Sequence, residues 1–332
     1  MGYSALTETA MAIEIIISEQ YNPYLNLAVE QELVRSNHPE TVVMYLWKNR
    51  QTVVIGKHQN PYAECHVERL LAEGGHLMRR TTGGGAVYHD TGNLNFSFVA
   101  GKNLYQQEKQ FMVIRKALES FGLETELSGR NDILYQGRKF SGNAFSSGKE
   151  NRLHHGTILI RTDVEKLQRY LKEKPSKLQK HGVASVRSRI INLSEVAGIT
   201  SENIIPPLVE AFQQVYGEEA VSRPFSSLCT EGVLAYARQL EDPDFLYGKW
   251  RQFQARYKGT FAWGEAEIGV EVDEALHRIR RVEIATDCLF PETVEKIKGL
   301  LENADSETMP DYTAASEEER TIYNDILHLI YA

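Results

Sequence analysis

The chain has 332 residues, of which 42% are hydrophobic and 25% charged, enough to bury the core of one large domain or two ordinary ones. Its 37 basic and 45 acidic residues give a net charge of -8, which argues against an electrostatic nucleic-acid binder. Any anionic ligand must therefore be held by a local basic site.

The cysteines and the N-terminus indicate a reducing cytoplasm. Cys65, Cys229 and Cys288 are far apart and show no CxxC spacing, so neither a disulfide framework nor a zinc site is expected. The first ten residues lack the features of a signal peptide, and no run approaches the length of a membrane span. Since Met11 opens the patterned sequence, residues 1–10 are expected to be an extension or to precede an alternative start.

Short strands and helices alternate irregularly along the first half of the chain. The run IEIIIS predicts a strand, and Asn22-Pro23 offers a cap and first-turn proline for a helix to about Asn37. The β-branched runs at 41–47 and 52–56, separated by KNRQ, suggest an antiparallel pair. A short helix over 66–75 and an extended segment, HLMRR, should follow.

The next elements include the clearest amphipathic helix. GNLNFSFVAG alternates, which predicts a half-buried strand, and residues 104–122 form the helical pattern. NDILYQGRKFSGNAF resembles a hairpin turning near Gln136-Gly137, and HHGTILI supplies another strand. These elements indicate an α+β fold with a mainly antiparallel or mixed sheet, not a doubly wound dinucleotide fold.

Beyond residue 250 the strand-like runs FAWGEAEIGVEVD and RIRRVEIATDCL precede a helix from Pro291 and another from about Ser316. This set is self-contained, so we predict two domains, 1–250 and 251–332, the second a small α+β domain.

RRTTGGGAVYHD, at 79–90, places three glycines between two arginines and a histidine. Glycines allow positive φ and let backbone N–H groups approach an anion, while Arg79 or Arg80 can add a bidentate charge. The glycines taken alone favour a flexible turn, because short glycine-rich runs are a weak signal, and neither GxxxxGK[ST] nor GxGxxG is present.

Asn131, Asp132 and Lys139 cluster in the predicted hairpin. Lys139 could neutralise a carboxylate or an α-phosphate, and Asp132 could hold Mg²⁺, which takes one or two carboxylates and fills its other positions with phosphate and water. An ordinary charged hairpin is the alternative.

Three further features have a functional and a structural interpretation. Adjacent His154 and His155 point to opposite faces of a strand, so they are a poor metal chelate, and one should hydrogen-bond a ligand or backbone. His89 by itself is more typical of a structural histidine. The basic run 177–193, hinged at Gly182, fits a loop that closes over an anion or a solvated connection.

Six ordered segments resemble the lipoate-protein ligases: YNPYLNLAVEQ, LWKNRQTVVIGKHQNPYAEC, RRTTGGGAVYHDTGN, GRNDILYQGRKFSGNAF, HHGTILI and GVASVRSRIINL. The resemblance implies a catalytic domain similar to class II aminoacyl-tRNA synthetases and biotin ligases, with the accessory domain of the longer ligases. It implies that lipoate and ATP give lipoyl-AMP, from which the lipoyl group passes to a lysine of a lipoyl domain. The acceptors would be E2 subunits of 2-oxoacid dehydrogenases or the glycine cleavage H protein.

The resemblance also assigns site residues, with Lys139 as the catalytic residue, while Asp132 stays the candidate Mg²⁺ ligand from the hairpin pattern. Those implied for ATP or the adenylate are Arg80, Gly85, Ala86, Val87, Tyr88, Lys139, Lys180, Gly182 and Val183. Those implied for lipoate are Leu27, Val29, Glu30, Arg80, Thr82, Gly85, His89, Lys139, Ala144 and His155. It leaves open the preferred acceptor, the use of octanoate, and a monomeric or oligomeric state.

Two other functions are compatible with this architecture. Octanoyl- and lipoyl-transferases carry the acyl group on a cysteine and use no ATP, and the matched segments place no cysteine near the histidines. A non-catalytic lipoyl-domain binder would have no need of Lys139 or of the arginine and glycine run.

Overall fold

The computed structural model describes residues 11–129, 131–148, 150–172, 189–247, 253, 255–273 and 276–331. The chain divides into two compact units, each assembled from separate stretches. The first comprises Met1–Gln51, His89–Val164 and Ala184–Arg238, and the second Thr52–Tyr88, Glu165–Val183 and Gln239–Ala332. The boundary expected near residue 250 lies outside the described residues and stays a prediction.

Strands and helices are interspersed along both units, without a regular alternation. The strands are β1 (Ala12–Ile17), β2 (Thr41–Trp47), β3 (Thr52–Ile55), β4 (His76–Arg79), β5 (Val87–His89), β6 (Asn93–Gly101), β7 (Glu126–Ser128), β8 (Asp132–Tyr135), β9 (Arg138–Ser147), β10 (Asn151–Leu159), β11 (Ala220–Ser222), β12 (Ala255–Phe261), β13 (Gly264–Asp273) and β14 (Arg278–Thr286). The helices are α1 (Pro23–Ser36), α2 (Pro61–Glu64), α3 (Val67–Ala72), α4 (Gln107–Glu119), α5 (Val164–Tyr170), α6 (Ser194–Ala197), α7 (Ile205–Tyr216), α8 (Glu231–Leu240), α9 (Pro243–Tyr247), α10 (Pro291–Leu301) and α11 (Glu317–Tyr331).

An eight-stranded mixed sheet organises the first unit, in the order β11-β1-β2-β6-β10-β9-β8-β7. Strand β1 pairs in parallel with β2 and β11, whereas the pairs from β2 to β7 are antiparallel. Helices α4 and α7 cover one face of this sheet, and α1 packs on β6 and β10. The predicted α+β class with a mixed sheet is confirmed.

The second unit contains two three-stranded sheets. One has the order β4-β3-β5, with β3 and β4 parallel, and the other is the antiparallel sheet β12-β13-β14. Helices α10 and α11 bury Val294, Ile297, Ile322 and Ile326 in the core of that antiparallel sheet. The predicted C-terminal group of strands and two helices is therefore observed.

The expected antiparallel pairing of β2 with β3 is wrong. Strand β2 lies between β1 and β6 in the large sheet, and β3 pairs in parallel with β4 in a different sheet. The connecting residues do not fold back as a hairpin, because the Arg50 N–H donates to the Tyr21 carbonyl oxygen and Asn49 is fully buried. The two similar β-branched runs therefore belong to different sheets.

Strand β6 is also more buried than its alternating pattern predicts. Phe96 and Phe98 face the aromatic core, but Asn95 and Ser97 on the other face are also almost fully buried. The reason is that α1 covers this second face of the strand. The alternation of apolar and polar residues here separates two buried environments, not core from solvent.

Local capping explains two elements that the sequence predicted well. The Asn22 side chain accepts hydrogen bonds from the N–H groups of Tyr24 and Leu25, and Pro23 occupies the first turn of α1. The hairpin between β8 and β9 turns at Gln136 and Gly137, with φ of 49° and 72°. Two consecutive positive φ values are those of a type I′ turn, whose twist suits a tight hairpin.

Within the described part of the chain, no helix combines the length and apolar character needed to cross a membrane.

Candidate active site

The β8–β9 hairpin brings Lys139 and Asp132 together. Lys139 Nζ lies 2.7 Å from Asp132 Oδ1, and the two side chains are 37% and 32% exposed. A Cβ at Gly142 would lie 2.8 Å from Lys139 Nζ, so the lysine lies directly over the backbone of this glycine. A partly exposed pair of this kind contributes only about 0–1 kcal/mol to stability. The ammonium group can therefore exchange Asp132 for another anion at little cost.

A β-bulge places Lys139 on the same face as Asp132. Asp132 pairs with Gly142 and Ile133 with Ser141, but the register then shifts so that Leu134 pairs with Lys139. Without this extra residue, Lys139 would lie opposite Tyr135 and point to the other face, because side chains alternate along a strand. The proximity of the lysine and the carboxylate therefore depends on the bulge.

A buried polar network in the first unit connects Glu30 and His155. Glu30 is fully buried, and its Oε1 lies 2.6 Å from Ser97 Oγ and 2.8 Å from His155 Nδ1. Ser97 Oγ in turn accepts a hydrogen bond from Trp47 Nε1 at 3.0 Å. The hydrogen bond between His155 Nδ1 and the Glu30 carboxyl group orients the imidazole ring.

His89 joins the same region through Trp47. Its ring meets the Trp47 indole edge-on at 6.2 Å, and its Nδ1 lies 3.3 Å from Asn49 Nδ2. Three of the residues expected to bind lipoate, Glu30, His89 and His155, thus converge although they come from distant parts of the sequence.

Trp47, Ser97 and Asn49 were not singled out by the sequence analysis. The signal available for Trp47 was an indole N–H within an otherwise apolar strand, since a buried indole needs a hydrogen-bond acceptor. Ser97 and Asn49 carried no comparable signal, because isolated polar residues in strands and turns are common.

The apolar residues expected near lipoate occupy the same unit. Ala144 pairs with His155 across β9 and β10, so the two side chains lie on one face of the sheet. Leu27 and Val29 are buried on α1. Leu27 is three residues from Glu30 and shares its face of the helix, whereas Val29 is turned about 200° from Leu27 around the helix axis.

The glycine-rich segment of the second unit is folded around Arg80. Arg80 Nη2 donates to the carbonyl oxygens of Gly83 and Gly85 at 2.7 and 2.9 Å, and Nε donates to Thr82 Oγ1 at 3.0 Å. The arginine is only 7% exposed. By drawing these carbonyl groups towards itself, Arg80 defines the shape of the loop.

The three consecutive glycines lie in different local environments. A Cβ at Gly83 would lie 1.9 Å from the carbonyl oxygen of Cys288, and Gly84 has a φ of +91°, which disfavours any side chain. At Gly85, by contrast, no atom of the described residues comes within 4 Å of the Cβ position. Packing and strain account for the first two glycines, and ligand approach is the candidate reason for the third.

The remaining loop residues differ in exposure. Ala86 and Val87 are partly exposed, while Tyr88 is 2% exposed and packs on the Tyr170 ring at 5.6 Å. Tyr88 therefore offers its backbone more readily than its side chain. The predicted Lys180, Gly182 and Val183 lie outside the described residues.

Arg79 is a structural anchor and does not duplicate Arg80. Its Nη1 donates to the carbonyl oxygens of Gly56, Lys57 and Gln59, and its Nε and Nη2 donate to those of Phe245 and Leu246 on α9. Burial lowers the pKa of Arg79 to about 10, so it stays charged at neutral pH. The charged guanidinium group of Arg79 therefore binds backbone carbonyl oxygens of the second unit.

The C-terminal strands contact the glycine loop directly within the second unit. The Gly84 N–H donates to the Cys288 carbonyl oxygen at 3.0 Å, and the Thr286 N–H donates to the His58 carbonyl oxygen at 3.2 Å. His58 Nε2 lies 3.2 Å from the Pro291 carbonyl oxygen, and Lys57 Nζ lies 3.1 Å from Glu295 Oε1. The residues at the end of β14 and after it therefore bind the glycine loop and the residues after β3.

The chain is similar in sequence to known lipoate-protein ligases. Residues 22–213 match the model of the lipoyl protein ligase A/B catalytic domain. The chain is 38% identical to a lipoate-protein ligase A of Bdellovibrio bacteriovorus over 296 residues, 86% of each chain. It is 37% identical to a lipoate-protein ligase A of Psychrobacter cryohalolentis over 298 residues, 87% of each.

Two solved structures are similar over much of the chain. The P. falciparum LipL1 complex with lipoate is 28% identical with a TM-score of 0.82, covering 96% of this chain and 100% of that one. A lipoate-protein ligase A bound with ATP is 25% identical with a TM-score of 0.59, covering 73% of this chain and 98% of that one.

The different constraints on the glycines predict different effects of the same added methyl group. Gly83→Ala should destabilise the second unit by about 1–3 kcal/mol, because its Cβ meets a backbone carbonyl that cannot turn aside. Gly85→Ala should leave stability nearly unchanged. Thermal and urea unfolding of the two variants measure the difference, and equal stabilities would contradict the assigned packing.

The largely buried His58 side chain predicts a loss of stability in acid. Burial lowers the pKa of His58 from 6.5 to about 4, so the unfolded chain binds the proton first as the pH falls. The stability that neutral His58 contributes is complete above about pH 6.5 and should decline towards pH 4, by on the order of 1–3 kcal/mol. Urea unfolding at pH 7 and 4.5 should show a smaller decline in His58→Gln than in wild type.

The matched control is His38→Gln, which removes an exposed histidine of the first unit. Identical declines in wild type and His58→Gln would show that His58 does not carry the effect.

Proposed function

The chain belongs to the lipoyl protein ligase A/B catalytic-domain family, and we propose that it activates lipoate with ATP and transfers the lipoyl group to a lysine of an acceptor protein. In the first step the lipoate carboxylate attacks the α-phosphorus of ATP, the bond to pyrophosphate breaks, and lipoyl-AMP forms. In the second, a lysine amine attacks the lipoyl carbonyl carbon, an amide bond forms, and AMP leaves.

The observation that carries this proposal is the partly exposed Lys139 ammonium group over Gly142. Both reactants of the first step are anions, so they repel each other unless a cation lies at the reacting centre. A lysine 4 Å from one of them contributes about 4 kcal/mol of attraction at an effective dielectric constant of 20. Asp132 holds this cation in the free protein and can yield it to substrate.

The glycine loop of the second unit is proposed to bind the nucleotide. Arg80 keeps the carbonyl oxygens of Gly83 and Gly85 turned inwards, which leaves the accessible stretch from Gly85 to Val87 for the nucleotide or adenylate. Thr82 is fully buried against Arg80, so its contribution to binding would be to shape the loop. Lys180, Gly182 and Val183 are proposed to close on the adenylate.

The lipoyl tail is proposed to lie among Leu27, Val29, Ala144 and the buried network of Glu30, His89 and His155. Apolar side chains with a few fixed polar groups are typical of small-molecule sites. The hydrogen bond from His155 to Glu30 fixes the ring orientation before the ligand enters, which lowers the ordering cost of binding.

Mg²⁺ fits the residues of this hairpin only as an ion held mainly by phosphate. Asp132 offers one carboxylate, and no group of three His, Cys, Asp or Glu side chains among the described residues could hold a metal ion. One carboxylate with phosphate oxygens and water is a common Mg²⁺ environment. When bound there, the ion would withdraw charge from the triphosphate.

The cysteines argue against acyl transfer through a thioester. Burial raises the pKa of Cys65 to about 12, and burial also raises that of Cys229. Cys288 is buried as well. Since the thiolate is the nucleophile, thiols of this kind react slowly at neutral pH. The proposed acceptors are lipoyl domains of E2 subunits and the glycine cleavage H protein, and the proposed location is the cytoplasm.

A direct assay tests the proposed activity. Purified protein with ATP, Mg²⁺ and lipoate should release pyrophosphate, and an apo lipoyl domain should gain the mass of one lipoyl group. Lys139→Ala should lower the rate of pyrophosphate release by about 10²–10³, because it removes the charge at the reacting centre. Lys116→Ala, the same substitution at a lysine of α4 that donates to Gln214 on α7, is the control. Acceptor modification without ATP, from a carrier-bound acyl group, would favour a transferase.

The role of Asp132 can be tested by metal titration. Asp132→Asn keeps the shape of the side chain but weakens a Mg²⁺ ligand, so half-maximal pyrophosphate release should need a higher Mg²⁺ concentration. The KM for lipoate should change little. An unchanged Mg²⁺ requirement would assign Asp132 to the pairing of Lys139 alone.

A further inference from the structure

His154 is fully buried and takes no part in the network of its neighbour His155. Its imidazole lies among the rings of Phe96, Phe98, Phe111 and Phe145, with centroid distances between 4.7 and 6.0 Å. Its two nitrogens nevertheless reach polar partners on opposite sides. Nδ1 lies 3.0 Å from Gln110 Oε1 on α4, and Nε2 lies 2.9 Å from Asn143 Oδ1 on β9.

The proton of His154 can be assigned from these partners. Asn143 Nδ2 donates to the Asn131 carbonyl oxygen at 3.0 Å, which fixes Oδ1 of the same amide as an acceptor. Burial lowers the pKa of His154 well below its usual value, so the ring is neutral and carries one proton. That proton belongs on Nε2, facing Asn143.

The Gln110 amide can adapt to this tautomer. Its other polar neighbour is the Tyr216 hydroxyl, which can either donate or accept, so the amide can turn over and donate to Nδ1. Asn143 cannot turn over without losing Asn131. The imidazole therefore acts as a donor towards the hairpin and as an acceptor towards α4.

Asn143 and Asn131 clamp the hairpin beside Lys139. The Asn143 N–H donates to the Asn131 carbonyl oxygen at 2.8 Å, and Asn131 Nδ2 donates to the Asn143 carbonyl oxygen at 2.8 Å. The clamp is adjacent in sequence to the Asp132–Gly142 pair, over which the Lys139 ammonium lies.

The opposite strand leaves room for this clamp. Asn143 pairs with Gly156 of β10, and a Cβ at Gly156 would lie 2.4 Å from Asn143 Oδ1 and 3.0 Å from the Gly142 carbonyl oxygen. The glycine therefore lets the Asn143 side chain lie flat across β10 and reach His154.

We propose that His154 is a positioning residue for Lys139. Its Nε2–H bond fixes the Asn143 amide, which sets the hairpin geometry at the point where Lys139 meets Asp132. The adjacent histidines therefore have different roles: His155 bonds to Glu30, and His154 supports the hairpin that carries Lys139. This inference rests on the proposed adenylation for its catalytic consequence but not for its structural one.

The test compares three substitutions. His154→Phe fits the aromatic surroundings but leaves Asn143 Oδ1 without its donor. His154→Gln places an amide N–H near the position of Nε2 and should restore the donor. Gln110→Leu breaks the hydrogen bond on the other side of the same ring, with a similar loss of buried polar contact, and is the matched control.

The catalytic readout is lipoate-dependent exchange between ATP and pyrophosphate. His154→Phe should lower kcat about tenfold while the KM for lipoate stays within about twofold, as expected when a reacting group is misplaced but the binding site is intact. His154→Gln should recover most of kcat, and Gln110→Leu should retain it. Equal losses in His154→Phe and Gln110→Leu would overturn the proposal, because they would indicate general weakening of the core.

A structural readout separates this proposal from the proposed activity. Amide hydrogen exchange over residues 131–143 should be faster in His154→Phe than in wild type and unchanged in Gln110→Leu. If wild type shows no exchange of pyrophosphate, the proposed function fails, while the amide measurement still decides the role of His154. Unchanged amide protection over residues 131–143 in His154→Phe would overturn the proposed role of His154.

If His154→Phe does not fold, Asn131→Ala takes its place in both measurements, because it removes the clamp hydrogen bond from Asn131 Nδ2 to the Asn143 carbonyl oxygen at a partly exposed position. It should show the same loss of kcat and of protection, and wild-type values would contradict the clamp.

Discussion

The central strands β6 and β10 are buried on both faces, so the polar side chains that they carry must find partners inside the protein. This constraint organises the first unit. On the face covered by α1, Ser97 and His155 meet the buried carboxylate of Glu30. On the face covered by α4 and α7, His154 lies among aromatic rings and reaches Asn143.

The alternation of a strand explains why two adjacent histidines can have unrelated roles. Consecutive side chains point to opposite faces, so His154 and His155 experience different surroundings although they share a backbone. One ring is held by a carboxylate next to residues proposed for the lipoyl tail. The other is held between two amides and connects the helical layer to the hairpin of Lys139. Both rings are oriented before any ligand is present, which is the condition for a preorganised site.

In the second unit, hydrogen bonds from buried side chains define the shape of a loop. Two adjacent arginines are buried, and each directs its donors at backbone carbonyl oxygens. Arg79 connects the residues after β3 to α9, whereas Arg80 folds the glycine loop upon itself. The segment after β14 then closes the outer side of the loop through Cys288. A loop rich in glycine is thereby given one defined shape, with Gly85 to Val87 as its accessible part.

The sequence by itself determined several local elements and the family, and it supplied the candidate residues. Caps, proline and turn glycines act over a few residues, so α1, the β8–β9 turn and the C-terminal strands and helices were predicted correctly. The pairing of strands was not predicted correctly, because β2 and β3 are both rich in β-branched residues and their pairing depends on distant strands. Likewise, the alternation of β6 could not distinguish solvent from a second buried face.

Only the tertiary structure decided how the candidate residues act. The bulge that turns Lys139 towards Asp132 is a shift of register between two strands, and no single-strand pattern records it. The close contact that requires a glycine at Gly83 comes from the carbonyl oxygen of Cys288, about two hundred residues away in the sequence. Sequence fixes which groups are available and how the backbone bends locally, whereas distance, burial and proton placement arise from contacts between segments that only folding brings together.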